Sequence, residues 1–252
     1  MNATDAWLQD SRAIRRVSAF TDAEIDHASW PASIPAVAQL LSDGLAPASG
    51  VTFLVGENGS GKSTILEGIA TAYGLPPEGG SNQGMHSTRP SESPLGDWLQ
   101  IERSPSAPRW GFFLRAETMH GYYSYLEALP DSPDQHLHSL SHGESFNDLL
   151  ENKLNHPQFV TGLACLDEPE AALSFASTLN WLVGLREMAE RGTQVICATH
   201  SPLLASLPGA RILELGEWGI RESSWEDLQI VQHWRNYLES PQRYLRHLFD
   251  DQ

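Results

Sequence analysis

One stretch of the chain decides the fold: Gly56-Glu57-Asn58-Gly59-Ser60-Gly61-Lys62-Ser63-Thr64. It follows an apolar run at residues 51–55 and opens a helical pattern with apolar residues at 65–70. A strand, a glycine-rich turn and a helix start are the context that a G-x-x-x-x-G-K-[ST] phosphate loop requires. Because the glycines let the backbone N–H groups point inward and the helix N-terminus adds partial positive charge, the stretch predicts an anion site.

The loop predicts that the chain binds ATP together with Mg²⁺. Lys62 is expected to reach the β- and γ-phosphates, and the Ser63 hydroxyl is expected to ligate Mg²⁺. Thr64 is expected to cap the helix or to pack. The alternative, a chance glycine-rich turn, is disfavoured by the strand and helix on either side. The residues assigned to the nucleotide are Gly56, Glu57, Asn58, Gly59, Ser60, Gly61, Lys62, Ser63 and Thr64.

The composition is that of an acidic globular protein. The 252 residues include 16 Lys and Arg against 32 Asp and Glu, a formal net charge of −16. Such a surface repels phosphate backbones and anionic membranes, so the charge does not indicate a nucleic-acid partner. The densest basic cluster, Arg12, Arg15 and Arg16, is short and is interpreted as a solvated strand edge.

Cysteine usage and hydropathy predict a cytoplasmic protein without an integral membrane segment. The two cysteines, Cys165 and Cys197, lie in apolar runs without a C-x-x-C partner, and we expect buried thiols in a reducing compartment. The N-terminal residues do not resemble a signal peptide, and no apolar stretch has the length needed to span a bilayer.

The pattern of apolar residues predicts an α/β fold. Continuous apolar runs predict buried strands at 162–166, 195–199 and 210–215, and a helix at 174–191 separates the first two. Such strands, alternating with helices, are typical of a parallel sheet that is covered on both faces. Further elements are predicted as an edge strand within 14–25, a short helix at 37–41, a helix from 63 to 73, a loop at 75–94, a strand at 110–114 and a helix from Ser240-Pro241.

Two acidic residues, Asp167 and Glu168, end the apolar strand before Pro169. Ligands of open α/β sheets bind at the carboxyl ends of the strands. Since side chains alternate along a strand, the two carboxylates are expected to diverge and take different roles. Asp167 is predicted to hold Mg²⁺, directly or through water, and Glu168 to polarise the water that attacks the γ-phosphorus. Without the phosphate loop, two acids before a proline would indicate only a strand-ending turn.

His200 ends the next buried strand in the same way. A histidine at this edge could hydrogen-bond the γ-phosphate and the attacking water, whereas a lone histidine is more often a capped turn residue. Its position after the acidic strand favours the functional interpretation.

A second phosphate-recognition element is predicted around Ser141 and Gly143, before a helical run at 146–154. Ser141 can cap that helix, and the Gly143 amide with the helix dipole offers an anion site. This arrangement suits a nucleotide that is bound by another protomer. The alternative is metal binding by His136, His138 and His142, but no cysteine or carboxylate completes a tetrahedral set.

The motifs at 56–64, 140–145, Asp167-Glu168 and His200, in that order, resemble those of the ABC-type ATPases. In that family they correspond to the Walker A loop, the signature sequence, the Walker B strand with its catalytic glutamate, and the switch histidine. The wording Ser-His-Gly-Glu-Ser and Asp-Glu-Pro-Glu is most similar to stand-alone soluble members. The resemblance implies one ABC-type ATP-binding domain over 1–252, an α/β P-loop NTPase with a mainly parallel sheet, an N-terminal β edge and a small helical lobe at about 118–155.

The sequence also departs from the family pattern. His142 and Glu144 replace a glycine and a glutamine of the usual transporter signature, and residues 171–174 lack the aspartate that is common there. No clear glutamine stands in the Mg²⁺-sensing loop. Glu117 is the candidate metal ligand by its position after the strand at 110–114, and Gln83 is less favoured.

The aromatic residue that stacks on adenine is left open between Trp30 and Phe20.

The resemblance implies hydrolysis of ATP to ADP and phosphate by a homodimer that forms head to tail on ATP binding, and that acts on an unknown macromolecular partner. One alternative is the ATP-binding subunit of an ABC transporter with a separate membrane chain, which the short segment between Glu117 and Ser141 disfavours. Another is a nucleotide-regulated binding module with little turnover, which the intact Asp167, Glu168 and His200 disfavour. A kinase would leave the signature segment unexplained.

Overall fold

The computed structural model describes residues 10–82, 93–118, 162–171 and 173–249. The strands, in chain order, are β1 (Arg16–Ala19), β2 (Val51–Val55), β3 (Gly80–Ser81), β4 (Leu99–Glu102), β5 (Gly111–Arg115), β6 (Leu163–Asp167), β7 (Gln194–Thr199), β8 (Arg211–Gly216) and β9 (Gly219–Glu222).

The described helices are α1 (Pro35–Asp43), α2 (Lys62–Tyr73), α3 (Leu95–Trp98), α4 (Phe175–Glu190), α5 (Gln229–Glu239) and α6 (Pro241–Phe249), with 3₁₀ turns at Ala116–Thr118 and Leu204–Ser206. Among these described helices, none combines the length and the apolarity that crossing a bilayer demands. Gly74 follows α2 in the left-handed conformation, where its amide hydrogen-bonds the last helical carbonyls.

A seven-stranded sheet, in the order β3-β5-β6-β7-β2-β8-β9, forms the centre of the described structure. The five inner strands are parallel to one another, and β3 and β9 pair antiparallel at the two edges. β7 lies between the strand that leads into the phosphate loop and the strand that ends at Asp167. The chain therefore has the mainly parallel α/β fold of a P-loop NTPase, as the sequence predicted.

Both faces of the sheet are buried, which explains the continuous apolar runs. Along β6, Leu163 and Cys165 belong to the core on one face, whereas Ala164 and Leu166 belong to the core on the other. α2 packs on the first face and α4 on the second. Because a parallel sheet covered on both sides leaves no strand face in water, the apolar runs do not alternate.

Buried thiols are confirmed at Cys165 and Cys197, which are unpaired and fully inaccessible to solvent. Burial raises the pKa of both thiols, so neither is a thiolate at neutral pH.

The N-terminal segment is held to the sheet by one buried amide. The Gln194 side chain is 1% exposed; its Oε1 atom accepts from Ile14 N at 2.8 Å, and its Nε2 atom donates to Ile14 O at 2.9 Å and Ala48 O at 2.7 Å. Because every polar atom of the amide has a partner, its burial is not penalised. The N-terminal segment does form a strand, but β1 covers only Arg16–Ala19 and pairs with β4 in a separate two-stranded sheet, so it is not an edge of the seven-stranded sheet as predicted.

Several boundaries differ from the sequence-based prediction. The strands predicted at 162–166, 195–199, 210–215 and 110–114 are shifted or extended by one residue to β6, β7, β8 and β5, and the helix predicted to begin at 63 begins at Lys62. The helix predicted at 174–191 is α4, whose N-cap Ser174 accepts a hydrogen bond from Ser177 N. The predicted loop at 75–94 contains the short strand β3. The predicted helical lobe lies outside the described residues except for its first residue.

Candidate functional site

The loop between β2 and α2 has a shape that favours glycine at three positions. Gly59 and Gly61 have φ angles of +82° and +96°, in the left-handed region that disfavours residues with a Cβ atom. A Cβ atom on Gly56 would lie 2.4 Å from Leu215 O and 2.7 Å from Ser60 Oγ. The sequence motif therefore corresponds to a tightly curled loop that ends at the N-terminus of α2.

Lys62 is buried beside this loop. It is 4% exposed, and its Nζ atom donates to Glu57 O at 3.0 Å. Burial lowers the pKa of Lys62, against the opposing attraction of Glu168 and Asp167. Ser60 Oγ is buried and has no hydrogen-bond partner within the described residues. A buried cation and an unsatisfied hydroxyl on one loop fit an anionic ligand, because both gain partners when it binds.

Asp167 meets the helix start directly. Ser63 Oγ donates to Asp167 Oδ1 at 2.9 Å, and Asp167 is 6% exposed. Burial raises the pKa of Asp167 to about 6, although the Ser63 hydrogen bond and the Arg115 charge oppose this shift. The buried carboxylate is thus only partly compensated by its neighbours, and a divalent cation would add positive charge beside it.

The oxygen donors of Ser63 and Asp167 fit Mg²⁺, which prefers hard oxygen ligands. Across the described ranges, no three His, Cys, Asp or Glu side chains are grouped so that they could hold a metal by themselves. A metal between Ser63 and Asp167 would therefore take its remaining oxygens from water and phosphate, as Mg²⁺ commonly does.

Arg115 is a residue of this site that sequence reasoning missed. It ends β5 opposite Asp167 in the ladder; its Nη1 atom lies 2.8 Å from Glu67 Oε2 and its Nε atom 3.8 Å from Asp167 Oδ2. The guanidinium partly balances the buried carboxylate. The only sequence signal was a basic residue at the carboxyl end of a strand, which matches no motif.

Glu117, the predicted metal ligand, lies two residues further on and is exposed. Its negative charge contributes to the raised pKa of Asp167, which places it in the electrostatic surroundings of the site. Its role as a ligand stays a prediction.

Glu168 and His200 are brought together at the same sheet edge. The Glu168 Oε1 atom lies 3.2 Å from His200 Nδ1, and both side chains are partly exposed. Asp167 and Glu168 were predicted to diverge because side chains alternate along a strand, but Glu168 lies beyond the end of β6. It adopts a left-handed φ of +48°, and its amide still donates to Ala198 O at 2.9 Å. A left-handed non-glycine residue is strained, and such strain is common at functional sites.

Other predicted residues lie elsewhere. Phe20 and Trp30 are 44% and 53% exposed, and the choice between them for adenine stacking stays a prediction. The remaining predicted residues lie outside the described residues: Gln83, His136, His138, Ser141, His142, Gly143 and Glu144.

A family model described as an AAA domain matches residues 36–98, the segment that includes the phosphate loop and α2. No curated protein matches the sequence.

Many solved structures are similar in fold. A metal-chelate type ABC transporter in an inward-facing conformation has a TM-score of 0.42 at 17% identity, covering 78% of this chain and 81% of the other. The cbiO1 protein from Clostridium perfringens, part of the ABC transporter complex cbiONQ, has a TM-score of 0.45 at 15% identity, covering 82% and 90%. An ATP-binding subunit of an ABC transporter has a TM-score of 0.43 at 16% identity, covering 73% and 82%. At such identities and TM-scores, these neighbours carry no argument about substrate or partner.

The fold and the site define an α/β P-loop NTPase: the phosphate loop follows a central parallel strand, and an acidic strand lies two places away in the sheet. The match to the AAA domain family agrees with this class. Within it, the order of the motifs along the chain supports the recognition of an ABC-type P-loop ATPase.

Proposed function

We propose that this protein is a Mg²⁺-dependent ATPase that converts ATP to ADP and phosphate. The observation that carries the proposal is the convergence at one sheet edge of Ser63 with Asp167 at 2.9 Å and of Glu168 with His200 at 3.2 Å. Asp167 ends β6, Glu168 directly follows it, and His200 directly follows β7. In the sheet, β7 is next to the phosphate-loop strand β2, and β6 is next to β7. Such a set provides the positioning and the electrostatic stabilisation that phosphoryl transfer requires.

In this proposal the loop amides of 56–64 and the Lys62 ammonium hold the phosphates. Ser63 and Asp167 would hold Mg²⁺, which would neutralise negative charge on the phosphates. When phosphate oxygens reach Lys62, its Nζ atom exchanges the neutral Glu57 carbonyl for a charged acceptor. Glu117 is a further candidate ligand at the metal.

Glu168 acts as the group that orients and polarises the attacking water. Its Oε1 atom lies 3.2 Å from His200 Nδ1 without a hydrogen bond between them, so the carboxylate and the imidazole are close enough to act on the same water. His200 in turn hydrogen-bonds the γ-phosphate and that water. Both side chains are partly exposed, so a water molecule can reach them.

The active form in this proposal is a head-to-tail homodimer that encloses two ATP molecules. Ser141 and Gly143 of one protomer face the γ-phosphate that Lys62 of the other protomer holds. A two-fold axis then makes two equivalent sites, since each surface contributes to the other. ATP favours the closed pair and hydrolysis releases it, which gives a switch.

The switch acts on a macromolecular partner in the cytoplasm. A self-standing ATPase is favoured over the ATP-binding subunit of a transporter because the segment between Glu117 and Ser141 is short for docking a membrane chain. Affinity purification with Glu168→Gln protein and ATP separates the two: a recovered permease would establish the transporter subunit, and a soluble factor would support the self-standing enzyme.

Phosphate release from ATP, measured with and without Mg²⁺, tests the activity. We expect Glu168→Gln to reduce turnover by about 10²-fold or more while ATP binding persists, as loss of a catalytic base does. The control is Glu190→Gln, the same chemical change at an exposed helix position that pairs with Arg186; it should keep wild-type turnover. Wild-type protein that binds ATP but releases no phosphate would overturn the enzyme and favour a nucleotide-regulated binding module.

Light scattering of Glu168→Gln protein tests the dimer. With ATP and Mg²⁺ the mass should double, and with ADP it should return to that of one chain. A mass of one chain under saturating ATP would contradict the enclosed pair without contradicting ATP binding.

A further inference from the structure

Glu170 lies in the turn that follows Glu168, and this turn directs it back toward the sheet. Ala171 N donates to Glu168 O at 3.0 Å, and Leu173 N donates to Glu170 O at 2.9 Å. The backbone thus reverses immediately after β6. As a result, the side chain of Glu170 reaches the end of the neighbouring strand β7 rather than the solvent.

One carboxylate oxygen of Glu170 accepts hydrogen bonds from two polar groups at the end of β7. Its Oε1 atom accepts hydrogen bonds from Thr199 Oγ1 and, at 3.3 Å, from the backbone N–H of His200. Thr199 Oγ1 accepts in turn from Ser201 N at 2.9 Å. Thr199, His200 and Ser201 are therefore all linked to this one oxygen atom: Thr199 and His200 bond to it directly, and Ser201 is linked through Thr199.

The other oxygen, Oε2, is buried and has no hydrogen-bond partner among the described residues. Burial raises the pKa of the Glu170 carboxyl, which the Thr199 hydrogen bond partly opposes. A buried, half-satisfied carboxyl group is unfavourable for stability compared with an apolar side chain of the same size. Its presence beside His200 therefore calls for a reason other than stability.

We propose that Glu170 is a positioning residue: by accepting from Thr199 and from the His200 amide, it fixes the backbone at the end of β7 and so holds the His200 imidazole against Glu168. The proposal rests on the proposed function for the role of His200 in ATP hydrolysis. It extends that function by adding a residue that acts through His200. The effect reaches the reaction through the 3.2 Å contact of Glu168 Oε1 with His200 Nδ1.

Two variants of equal length separate accepting hydrogen bonds from filling space. Glu170→Gln keeps an acceptor oxygen for both donors, whereas Glu170→Met fills the same space without an acceptor. A second pair acts on the donor: Thr199→Ser keeps the hydroxyl, and Thr199→Val removes it. The positioning role predicts that Met and Val are defective and that Gln and Ser rescue.

The first readout needs no hydrolysis. The imidazole ¹⁵N signals of His200 in nucleotide-free protein can be assigned among the 10 histidines by their loss in His200→Gln. Glu168→Gln shows the shift that results when the carboxylate contact is lost. We expect Glu170→Met and Thr199→Val to shift the signals in the same way, and Glu170→Gln and Thr199→Ser to leave them near wild type. Unchanged His200 signals in a folded Glu170→Met protein would overturn the proposal, whether or not the protein hydrolyses ATP.

The second readout is a double-mutant cycle on ATP turnover. Glu170→Met alone should lower kcat by about tenfold or more with little change in ATP affinity, because a small misplacement of a positioned group affects the reaction far more than binding. In a His200→Gln background the same substitution should cause no further loss, since its effect acts through the imidazole. Additive losses would instead show that Glu170 acts independently of His200 and would contradict the proposal.

Asp10→Asn is a matched structural control. Asp10 is a carboxylate in the N-terminal segment, outside the seven-stranded sheet; its Oδ1 atom accepts from Arg12 N at 3.0 Å and its Oδ2 atom from Arg12 Nη2 at 2.8 Å. Asp10→Asn should lower the unfolding midpoint and leave both the His200 signals and kcat unchanged. A wild-type protein without ATPase activity would defeat the proposed function, whereas the NMR result would still decide whether Glu170 holds His200.

Discussion

Asp167 and Lys62 are charged residues held where burial penalises charge. Burial raises the pKa of Asp167 to about 6 and lowers the pKa of Lys62. Their opposite charges only partly offset this penalty, because each side chain hydrogen-bonds a neutral group, Ser63 Oγ or Glu57 O. The two residues are therefore locally destabilising, which is typical of residues that function rather than stabilise.

This leads to a prediction for Asp167→Asn in the presence of a chelator. The folded-state pKa of about 6 lies above the ordinary 3.8, so the folded protein binds a proton that the unfolded chain has lost. Wild-type stability should fall as pH rises from about 4 to about 6 and stay low above that, by up to roughly 3 kcal/mol. Asp167→Asn should lack this component and unfold at higher urea concentration than wild type at pH 8. Parallel pH profiles for the two proteins would show that the carboxylate is not penalised.

The residues of the site differ in how well the sequence could predict them. Lys62, Ser63 and the acidic pair belong to motifs with fixed spacing. Arg115 belongs to no such motif, and the Asp-Glu-Pro-Glu wording that contains Glu170 assigned it no role. Each of the two acts across to a neighbouring strand, where the contact depends on the ladder and the turn rather than on spacing. The left-handed conformation of Glu168 could not be predicted from the sequence either, because no residue type near it indicates that a glutamate adopts a positive φ there.

The secondary-structure elements divide in the same way. β6, β7, β8 and α4 were predicted because long apolar runs or a clear 3.6-residue period mark them. β9 and α5 were not: β9 has one apolar side chain in four residues, and only Val231 of α5 is buried. β9 becomes regular by pairing with β8, so its intrinsic preference contributes little.

The phosphate loop permits a prediction at this scale from two glycines that differ in their surroundings. Gly59 has a φ of +82°, and a Cβ atom added there would meet nothing within 4 Å, so Gly59→Ala should cost only the left-handed strain of about 1–2 kcal/mol. Gly56→Ala would bring a methyl group within 2.4 Å of the Leu215 carbonyl oxygen on β8, which cannot rotate away. Because strand or loop must then move, we expect Gly56→Ala to destabilise the nucleotide-free protein more than Gly59→Ala in urea unfolding. If Gly59→Ala were the more destabilising of the two, the end of β8 would be able to shift at little energetic cost.

At the scale of the whole molecule, the net charge of −16 bears on any pairing of two copies. Two such chains repel each other, and in the proposed dimer two ATP molecules would add further negative charge. An attraction that closes this proposed pair would have to be short-ranged, from contacts around the nucleotide, and would have to exceed a long-range repulsion. Salt screens the repulsion over about 10 Å at 0.1 M and about 3 Å at 1 M, while contacts at the interface are screened less.

The dimer of Glu168→Gln protein should accordingly become tighter as salt rises from about 0.05 to about 0.3 M, because the Debye length shortens over that range. Sedimentation velocity at saturating ATP and Mg²⁺ would show a dissociation constant that falls with salt. ATP affinity measured in parallel on dilute monomer is the control, since screening weakens the attraction between phosphate and Lys62 and would act in the opposite direction. A dimer that loosens with salt would indicate that opposite charges across the interface, rather than contacts around the nucleotide, close the pair.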